Sequence, residues 1–482
     1  MTTYRRPFVL STIVALVILG PAAGTPHRIP AVGRSRGPSP APASRSPGPS
    51  ANGLIQEIAR DAVVGPPGSE PDTAVEPFVA ADPTHPDVVV AVFQMSRFPD
   101  GGAAAIGFAA SHDRGATWTS GVLPGLTRAS GGVFVRASDP SVTFGPDGAV
   151  YASSIVLRGP RGEGIAVNRS DDAGITWTSP VLLQHDPPRS GDDFPRIAAD
   201  VGARSIYAGR IYVTFVRHDH VVLRWSDDRA GTWSQMAAVS AGKGFVPNLM
   251  VGPDGAITIL YITEPPNKRP MLVSRTSRDG GASFGPPVEL GAMRPHVRKD
   301  WRAGGVQEST VDPVTGTLYA VWENARADAE RLNDVVLVRS VDGGTSWSSP
   351  RRVTAMDSKS GQDHLMPSVA ARGKRVDIIY FSRAITNGGP SRFVQLRSMS
   401  SSDGGGTFGA GRAIGGPADL RFAAAVRPGQ TRFLGDYMGM ALTTTSSFVV
   451  WCRSSPPGGA DGFHTTVWAA ATPEAAAQVL RP

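Results

Sequence analysis

Short apolar stretches broken by glycine, proline and aspartate run the length of the chain. Alternating segments lead up to a turn signal and resume after it. Pro140 to Phe144 stops at Gly-Pro-Asp147-Gly148 and restarts at Ala149-Val-Tyr-Ala; Pro247 to Val251 stops at Gly-Pro-Asp254-Gly255 and restarts at Ala256-Ile-Thr-Ile. Apolar/polar alternation is the period of a strand, and Asp-Gly favours the left-handed conformation of a tight hairpin. Related segments begin near Glu76, Asp193, Glu308, Pro367 and Phe433, giving seven starts in all.

A second pattern follows each of the first six starts: Ser-x-Asp-x-Gly-x-Thr/Ser-Trp/Phe. Its aspartates are Asp113, Asp172, Asp228, Asp279, Asp342 and Asp403, about 58 residues apart on average. In the third copy the glycine is displaced by one place, to Gly231. The aspartate accepts hydrogen bonds from its own turn, the glycine supplies positive φ, and the aromatic residue anchors the hairpin on a neighbour. Each unit then reads as strand A, turn, strand B, loop, strand C, Asp turn, strand D. Repetition of four antiparallel strands at this period predicts an all-β, seven-bladed β-propeller, with six blades as the alternative. The last unit lacks the Asp turn and stops after its third strand, Thr465 to Ala470. Leu54 to Val64 is the candidate fourth strand, which would close the ring. A helix is expected only at the end, with Thr472 as cap, Pro473 in the first position and Glu474 to Leu480 following.

Composition agrees with strands over helices: 56 Gly and 42 Pro, with 18% charged residues. The net charge of +7 is modest for 482 residues and lacks a dense Lys/Arg run, which argues against nucleic acid as a partner. The single cysteine, Cys452, excludes an intrachain disulfide. Arg5 and Arg6, the apolar run Phe8 to Leu19 and the small residues at Pro21 to Gly24 predict a cleaved signal peptide over residues 1–24. Residues 25–52 read as a Pro/Ser/Gly-rich disordered linker and 53–482 as the propeller domain. The mature chain is therefore expected outside the cytoplasm, without membrane insertion, as a monomer.

The Asp turns resemble those of the sialidase-like, Asp-box (bacterial neuraminidase repeat) superfamily, over roughly residues 76 to 470. Phe433-Leu-Gly435-Asp436-Tyr437 is similar to a blade-opening segment of secreted bacterial members. The resemblance implies a propeller and, in many members, extracellular glycan chemistry; others only bind. Sialidases of this kind use an Arg triad for the sugar carboxylate, a Tyr nucleophile activated by Glu, and an Asp acid/base. Their opening Phe/Tyr-Arg-Ile-Pro motif is out of place here: His27-Arg28-Ile29-Pro30 lies in the linker, 83 residues before the first Asp turn.

Strand B ends in Arg97, Arg158, Arg217, Glu264, Glu323, Arg383 and Arg453; strand A begins at Glu76, Asp139, Asp193, Glu308, His364 and Asp436, with Pro247 in the fourth unit. If both sets share a rim, guanidinium groups suited to a carboxylate or sulfate surround carboxyl groups suited to acid/base work or to Ca²⁺. Arg217, Arg383 and Arg453, with Asp139 and Asp436, are the candidate ligand-binding residues. Tyr437 and Glu308 are the candidate catalytic pair, with Asp193 beside them. No cofactor is implied. His218 and His220 share a strand face without a third metal ligand. The expected function is a sialidase-like glycoside hydrolase acting on an acidic glycan; the alternatives are a non-catalytic glycan- or protein-binding propeller and a polysaccharide lyase.

Overall fold

The computed structural model describes residues 44–45, 55–185, 191–265, 269–326, 332–354, 361–386, 388–426, 431–457 and 462–473. The signal segment and the helix expected over Glu474 to Leu480 lie outside these. Within the expected linker, Ser44–Arg45 pairs with Thr119 and Ser120. The described residues form strands and two short 3-10 turns, and no helix among them is long and apolar enough to cross a membrane.

Seven four-stranded antiparallel units follow one another. The first runs Ala74–Ala81, Val89–Arg97, Ala103–Ser111 and Thr119–Val122 as strands A to D. The remaining A strands are Arg136–Phe144, Asp193–Ala199, Phe245–Val251, Glu308–Val311, Gln362–Arg372 and Gly439–Leu442. Each A strand packs against the A strand of the next unit, and the seventh packs against the first. A small three-stranded sheet, Trp301–Arg302, Thr431–Phe433 and Ala424–Val426, lies outside this order. The seventh unit takes its fourth strand from the N-terminal side: Ile55–Ala59 pairs antiparallel with Thr465–Pro473, Ile55 opposite Ala470.

The B strands explain why these sequences are so apolar. Val89–Arg97 is buried at every position, because each unit is covered on both faces by its neighbours. Core clusters accordingly straddle unit boundaries. Val90, Val92 and Phe108 pack against Val142, Val150 and Ala152; Tyr319 and Leu337 pack against Val376 and Ile378. Each such valine, leucine, isoleucine or phenylalanine contributes roughly 1.5–3 kcal/mol on burial.

The six Asp turns repeat one hydrogen-bond set. In the fifth, Ser340 Oγ–H donates to Asp342 Oδ1 at 2.8 Å, Gly344 N–H donates to Ser340 Oγ at 2.9 Å, and Ser346 N–H donates to Asp342 Oδ1 at 2.9 Å. The turn aromatic reaches the preceding unit: Trp347 Nε1–H donates to Ser274 Oγ at 3.0 Å, and Trp177 tilts onto Phe108 at 5.8 Å. Gly174 is required twice over, with φ 93° and only 2.5 Å between an added Cβ and Val90 Cγ2. In the third turn Ala230 occupies this position at φ 65°, which accounts for the displaced glycine at the cost of a left-handed alanine. Because Asp342 is exposed, Asp342→Ala is expected to cost only about 1–2 kcal/mol. Denaturant melts check this, and an unchanged midpoint would show the turn to be held by its backbone alone.

Five A strands share an irregularity that sets the geometry of the site. Register shifts fall at Glu76-Pro77, Asp139-Pro140, Phe194-Pro195, Val246-Pro247 and Met366-Pro367. The residue before each proline has φ between 50° and 56°. Proline has no N–H to give the ladder, so a bulge tolerates it where a regular strand would not. Left-handed non-glycine residues cost on the order of 1–2 kcal/mol each.

Candidate functional site

Residues at and just after the bulges of several units meet one another. Two layers result, one water-reachable and one sealed.

The first layer holds Glu76, Asp139, Asp193 and Asp436 around Arg302; water reaches Asp139, Asp193 and Arg302, while Glu76 and Asp436 are buried. Arg302 clamps Asp436 with two hydrogen bonds, Nε to Oδ1 at 3.0 Å and Nη2 to Oδ2. Protein surrounds Arg302, yet 33% of its side-chain surface stays exposed, which marks the floor of a recess and not a sealed core. Asp139 and Asp193 are half-buried in the same way. Gln94 bridges the acids: its Nε2–H groups reach Glu76 Oε2 and Ser138 Oγ, and Ser138 Oγ–H donates to Asp139 Oδ1 at 2.6 Å. Asp193 Oδ1 accepts from Phe194 N–H at 3.0 Å. Burial, then the neighbouring Asp139 and Asp436, push Glu76 well above the usual carboxylate range. Burial followed by Asp139 does the same to Asp193, and burial raises Asp139 against the bond from Ser138. Like charges in one recess cannot all ionise, so this set shares protons.

The sealed layer is built around Arg196, which is 2% exposed. Its guanidinium lies 4.3 Å from the Tyr437 ring centroid, 4.4 Å from Phe194 and 5.1 Å from Phe78. Its Nη2 donates to Glu308 Oε1 at 3.0 Å, and Asn248 Nδ2 donates to Glu308 Oε2 at 2.9 Å. Phe78, Arg196 and Asn248 each follow a bulge proline, so the bulge positions all three. Tyr437 O–H donates to the Pro140 carbonyl at 3.1 Å. Burial, then Glu76 and Asp139, hold the Tyr437 phenol well above its ordinary value. Beside the recess, Arg97 stacks on Phe433 at 4.3 Å and donates to the Phe98 and Ala425 carbonyls, both at 2.8 Å. Burial and then Arg302 pull Arg97 down to about 10.

Of the residues singled out from sequence, the structure gathers Asp139, Asp193, Asp436, Glu308 and Tyr437. Glu308 and Tyr437 meet through Arg196 and share no direct bond. Arg217, Arg383 and Arg453 are not brought together. Arg217 pairs with the buried Asp192 at 3.1 Å, which lies beside its own unit's A strand. Arg383 is fastened to Asp300, in the connection before the fifth unit, and to the Ser391 carbonyl. Arg453 stacks 4.8 Å from the Trp468 ring and bonds the Pro417 carbonyl at 3.4 Å. Each guanidinium is taken up by a separate partner. The residues that sequence reasoning missed are Gln94, Arg196, Asn248 and Arg302. The X-Pro pairs in the A strands were the available signal for Arg196 and Asn248. Arg302 lies between units, where the repeat pattern has no voice. Among the described residues no three His, Cys, Asp or Glu groups lie close enough to hold a metal ion.

No protein-family model matches the chain, and no curated protein matches it. Several solved structures are similar in fold. A Hadza microbial sialidase, Hz136, is 17% identical, with 64% of each chain covered and a TM-score of 0.44. A leech intramolecular trans-sialidase is 12% identical, covering 67% of this chain and 66% of that one, at 0.46. A protein of unknown function from Dyadobacter fermentans is 13% identical, covering 86% and 98%, at 0.43. The chain thus spans just under two thirds of the two sialidases. These likenesses carry no argument about chemistry, and the site is read from its own residues.

Proposed function

We propose that this chain is a secreted seven-bladed β-propeller of the sialidase-like, Asp-box kind, and a glycoside hydrolase whose acid/base groups are Glu76, Asp139 and Asp193. The cyclic contacts of the seven A strands and the N-terminal fourth strand of the last unit support the blade count. The observation that carries the activity is the recess itself: three carboxyl groups at the ring's centre, held towards their protonated forms by burial and by one another. Glycoside hydrolysis needs one carboxyl group protonated and a second ionised across the scissile bond, and crowded carboxyl groups divide protons in that way.

A sialidase-type Tyr437–Glu308 pair is supported less. The Tyr437 hydroxyl already donates to Pro140, and Glu308 is occupied by Arg196 and Asn248. An acidic substrate would also need guanidinium groups free to converge, whereas Arg302 is clamped by Asp436. The polysaccharide-lyase reading has the same requirement. Non-catalytic glycan binding is the second reading, favoured by the sealing of Tyr437 and Arg196.

The test is a screen of purified protein against fluorogenic sialosides, neutral glycosides and amino-sugar glycosides. Hydrolysis is expected, with kcat/KM lowered about 10²–10⁴-fold in Asp139→Asn and Glu76→Gln at undiminished melting temperature. Turnover unaffected by both substitutions, or none on any glycoside, removes the proposal. Loss of activity in Tyr437→Phe alone would restore the tyrosine mechanism.

A further inference from the structure

We propose that residues 297–305 form a strap that lifts from the ring about Gly304 and Gly305 while the seven units stay folded, with the buried carboxyl group of Glu323 as its pH-sensitive latch. The strap stands independently of the chemistry proposed for the recess.

The segment joins the fourth unit to the fifth. Its upstream end is pinned: His296 N–H donates to Asn333 Oδ1 at 2.6 Å, and Asn333 Nδ2 donates to the His296 carbonyl at 3.0 Å. Its downstream end passes into the A strand at Glu308. Between these ends the backbone has little hold on the ring. One two-residue strand, Trp301–Arg302, pairs with Arg432 and Phe433, and Arg432 N–H donates to the Asp300 carbonyl at 2.9 Å. Side chains do most of the holding. Asp300 takes Arg383 of the sixth unit, Arg302 takes Asp436, and Trp301 stands edge-on to Phe381 at 5.7 Å. Trp301 is fully buried, yet its Nε1–H has no hydrogen-bond partner among the described residues. A buried donor left unpaired disfavours the closed position against one in which water satisfies it. Arg302 rides on the strap, so lifting it draws the guanidinium away from Asp436 and opens the recess on that side.

The hinge and the latch meet at one atom. Gly304 and Gly305 follow each other at φ 93° and 85°, and a Cβ added to Gly304 would come within 2.6 Å of Glu323 Oε1. Gly305 N–H donates to that same oxygen, while Glu323 Oε2 accepts from Met366 N–H, in the bulge of the sixth unit, at 3.2 Å. Lifting the strap takes Gly305 N–H away and lets water reach the carboxyl group. In the closed position burial first, then Asp363, pushes Glu323 up to about 7; in the open one it returns towards 4.5. A carboxyl group raised in the closed form favours that form in full below about 4.5 and gives this up as the pH climbs through about 7, so the strap opens as the pH rises. The other charged groups on the elements around Glu323 have partners of their own. Asp363 holds Arg298 at 2.7 Å, and Asp334, beside Val335 on the adjoining strand, holds Arg352 and His364. Asp300 and Arg302 are engaged as described.

Hydrogen–deuterium exchange of the intact protein at pH 6, 7 and 8, with each rate divided by the intrinsic rate at that pH, reads the opening. Peptides containing Gly305 and Arg432 report on the strap, and one spanning Val89–Arg97 reports on the ring. The strap is expected to exchange at least about a hundredfold faster than the ring, as a locally opening segment does. Its opening should rise about tenfold from pH 6 to pH 8, the full linkage of one carboxyl group moving between about 7 and 4.5. Glu323→Gln should abolish that rise. Strap and ring exchanging at one rate, a strap opening that does not rise with pH, or a rise that survives in Glu323→Gln each overturn the inference. A melting curve checks that the variant folds. If it does not, Asp300→Asn carries the test: Asp300 is 47% exposed, and weakening its hold on Arg383 should raise strap opening about two- to fivefold at every pH with the tenfold rise kept. Exchange unchanged from the parent would overturn the strap there as well.

Discussion

Deletion of residues 53–65 is expected to lower the melting temperature by about 5–10 °C and to make the protein self-associate. The segment supplies the outer strand of the seventh unit, Ile55–Ala59 against Thr465–Pro473. Without it that strand becomes an open edge, a template for pairing with another chain. The deletion also removes Ile58, 1% exposed, from the core. Asp61 goes with it, and Asp61 accepts from Thr73 N–H at 3.1 Å and from Ser96 N–H and Oγ–H, each at 2.8 Å. Thr73 N–H and the Ser96 hydroxyl would lose their partners, while Ser96 N–H keeps the Thr73 carbonyl at 2.9 Å, so the loss spreads across the seam into the first unit. One buried aliphatic side chain and two orphaned donors amount to roughly 3–6 kcal/mol, and a chain of this length loses only one to two degrees per kcal/mol by extrapolation from smaller domains. Asp61→Asn, which keeps the strand and disturbs the acceptor, should give a smaller fall. Scanning calorimetry and sedimentation of the deletion variant decide the matter; an unchanged melting curve would mean that the ring does not depend on its seam.

The units were legible because their signals are local. Ser340, Asp342, Gly344 and Ser346 satisfy one another within a single turn, so the motif survives in any context. Asp147-Gly148 and Asp254-Gly255 mark hairpins for the same reason, with φ 79° and 80° at the glycines. The site was only half legible. Counting strand starts placed Asp139, Asp193, Asp436 and Glu308 near the axis. It could not show that Asp139 is the bulge residue itself while Asp193 comes one place before its own bulge at Phe194. Arg196, like Phe78 and Asn248, is placed by following the bulge proline of its strand. Arg302 was invisible because it answers Asp436 across 134 residues, from a two-residue strand outside every repeat. The strand-B arginines misled for a physical reason. A guanidinium at a strand end finds a carboxylate, a carbonyl or an aromatic face within a few ångström, as Arg217, Arg383 and Arg453 do, so a row of them in sequence does not imply convergence in space.

From pH 4.5 to pH 8 the protein is expected to lose stability as the pH rises, and Glu323 is expected to account for much of the loss. Its side chain lies near the end of strand B of the fifth unit, Leu318–Ala325, fully buried, accepting from Gly305 N–H and, at 3.2 Å, from Met366 N–H. Burial first, with Asp363 adding to it, pushes Glu323 up to about 7. A carboxyl group raised on folding holds a proton that the unfolded chain has already released. Its contribution is therefore present in full below about 4.5 and lost as the pH climbs through about 7. The difference corresponds to roughly 3 kcal/mol at pH 8. Glu76, Asp139, Asp193 and Glu308 are displaced in the same direction and add to the slope. The turn aspartates work oppositely. Hydrogen bonds hold Asp228 and Asp342 at about 2, so their contribution is present above about 4 and lost as the pH falls through about 2. Solvent reaches both, so it is small. Glu323→Gln keeps one acceptor and gives up the other at about 1 kcal/mol, less than the roughly 3 kcal/mol that the ionised carboxylate costs at pH 8. The variant should therefore melt higher than the parent at pH 8, lower or equal at pH 4.5, and show a flatter profile between. Thermal melts of both proteins at pH 4.5, 6 and 8 check this. A parent more stable at pH 8 than at pH 4.5 would mean that the buried carboxyl groups are paid for by partners other than those named here.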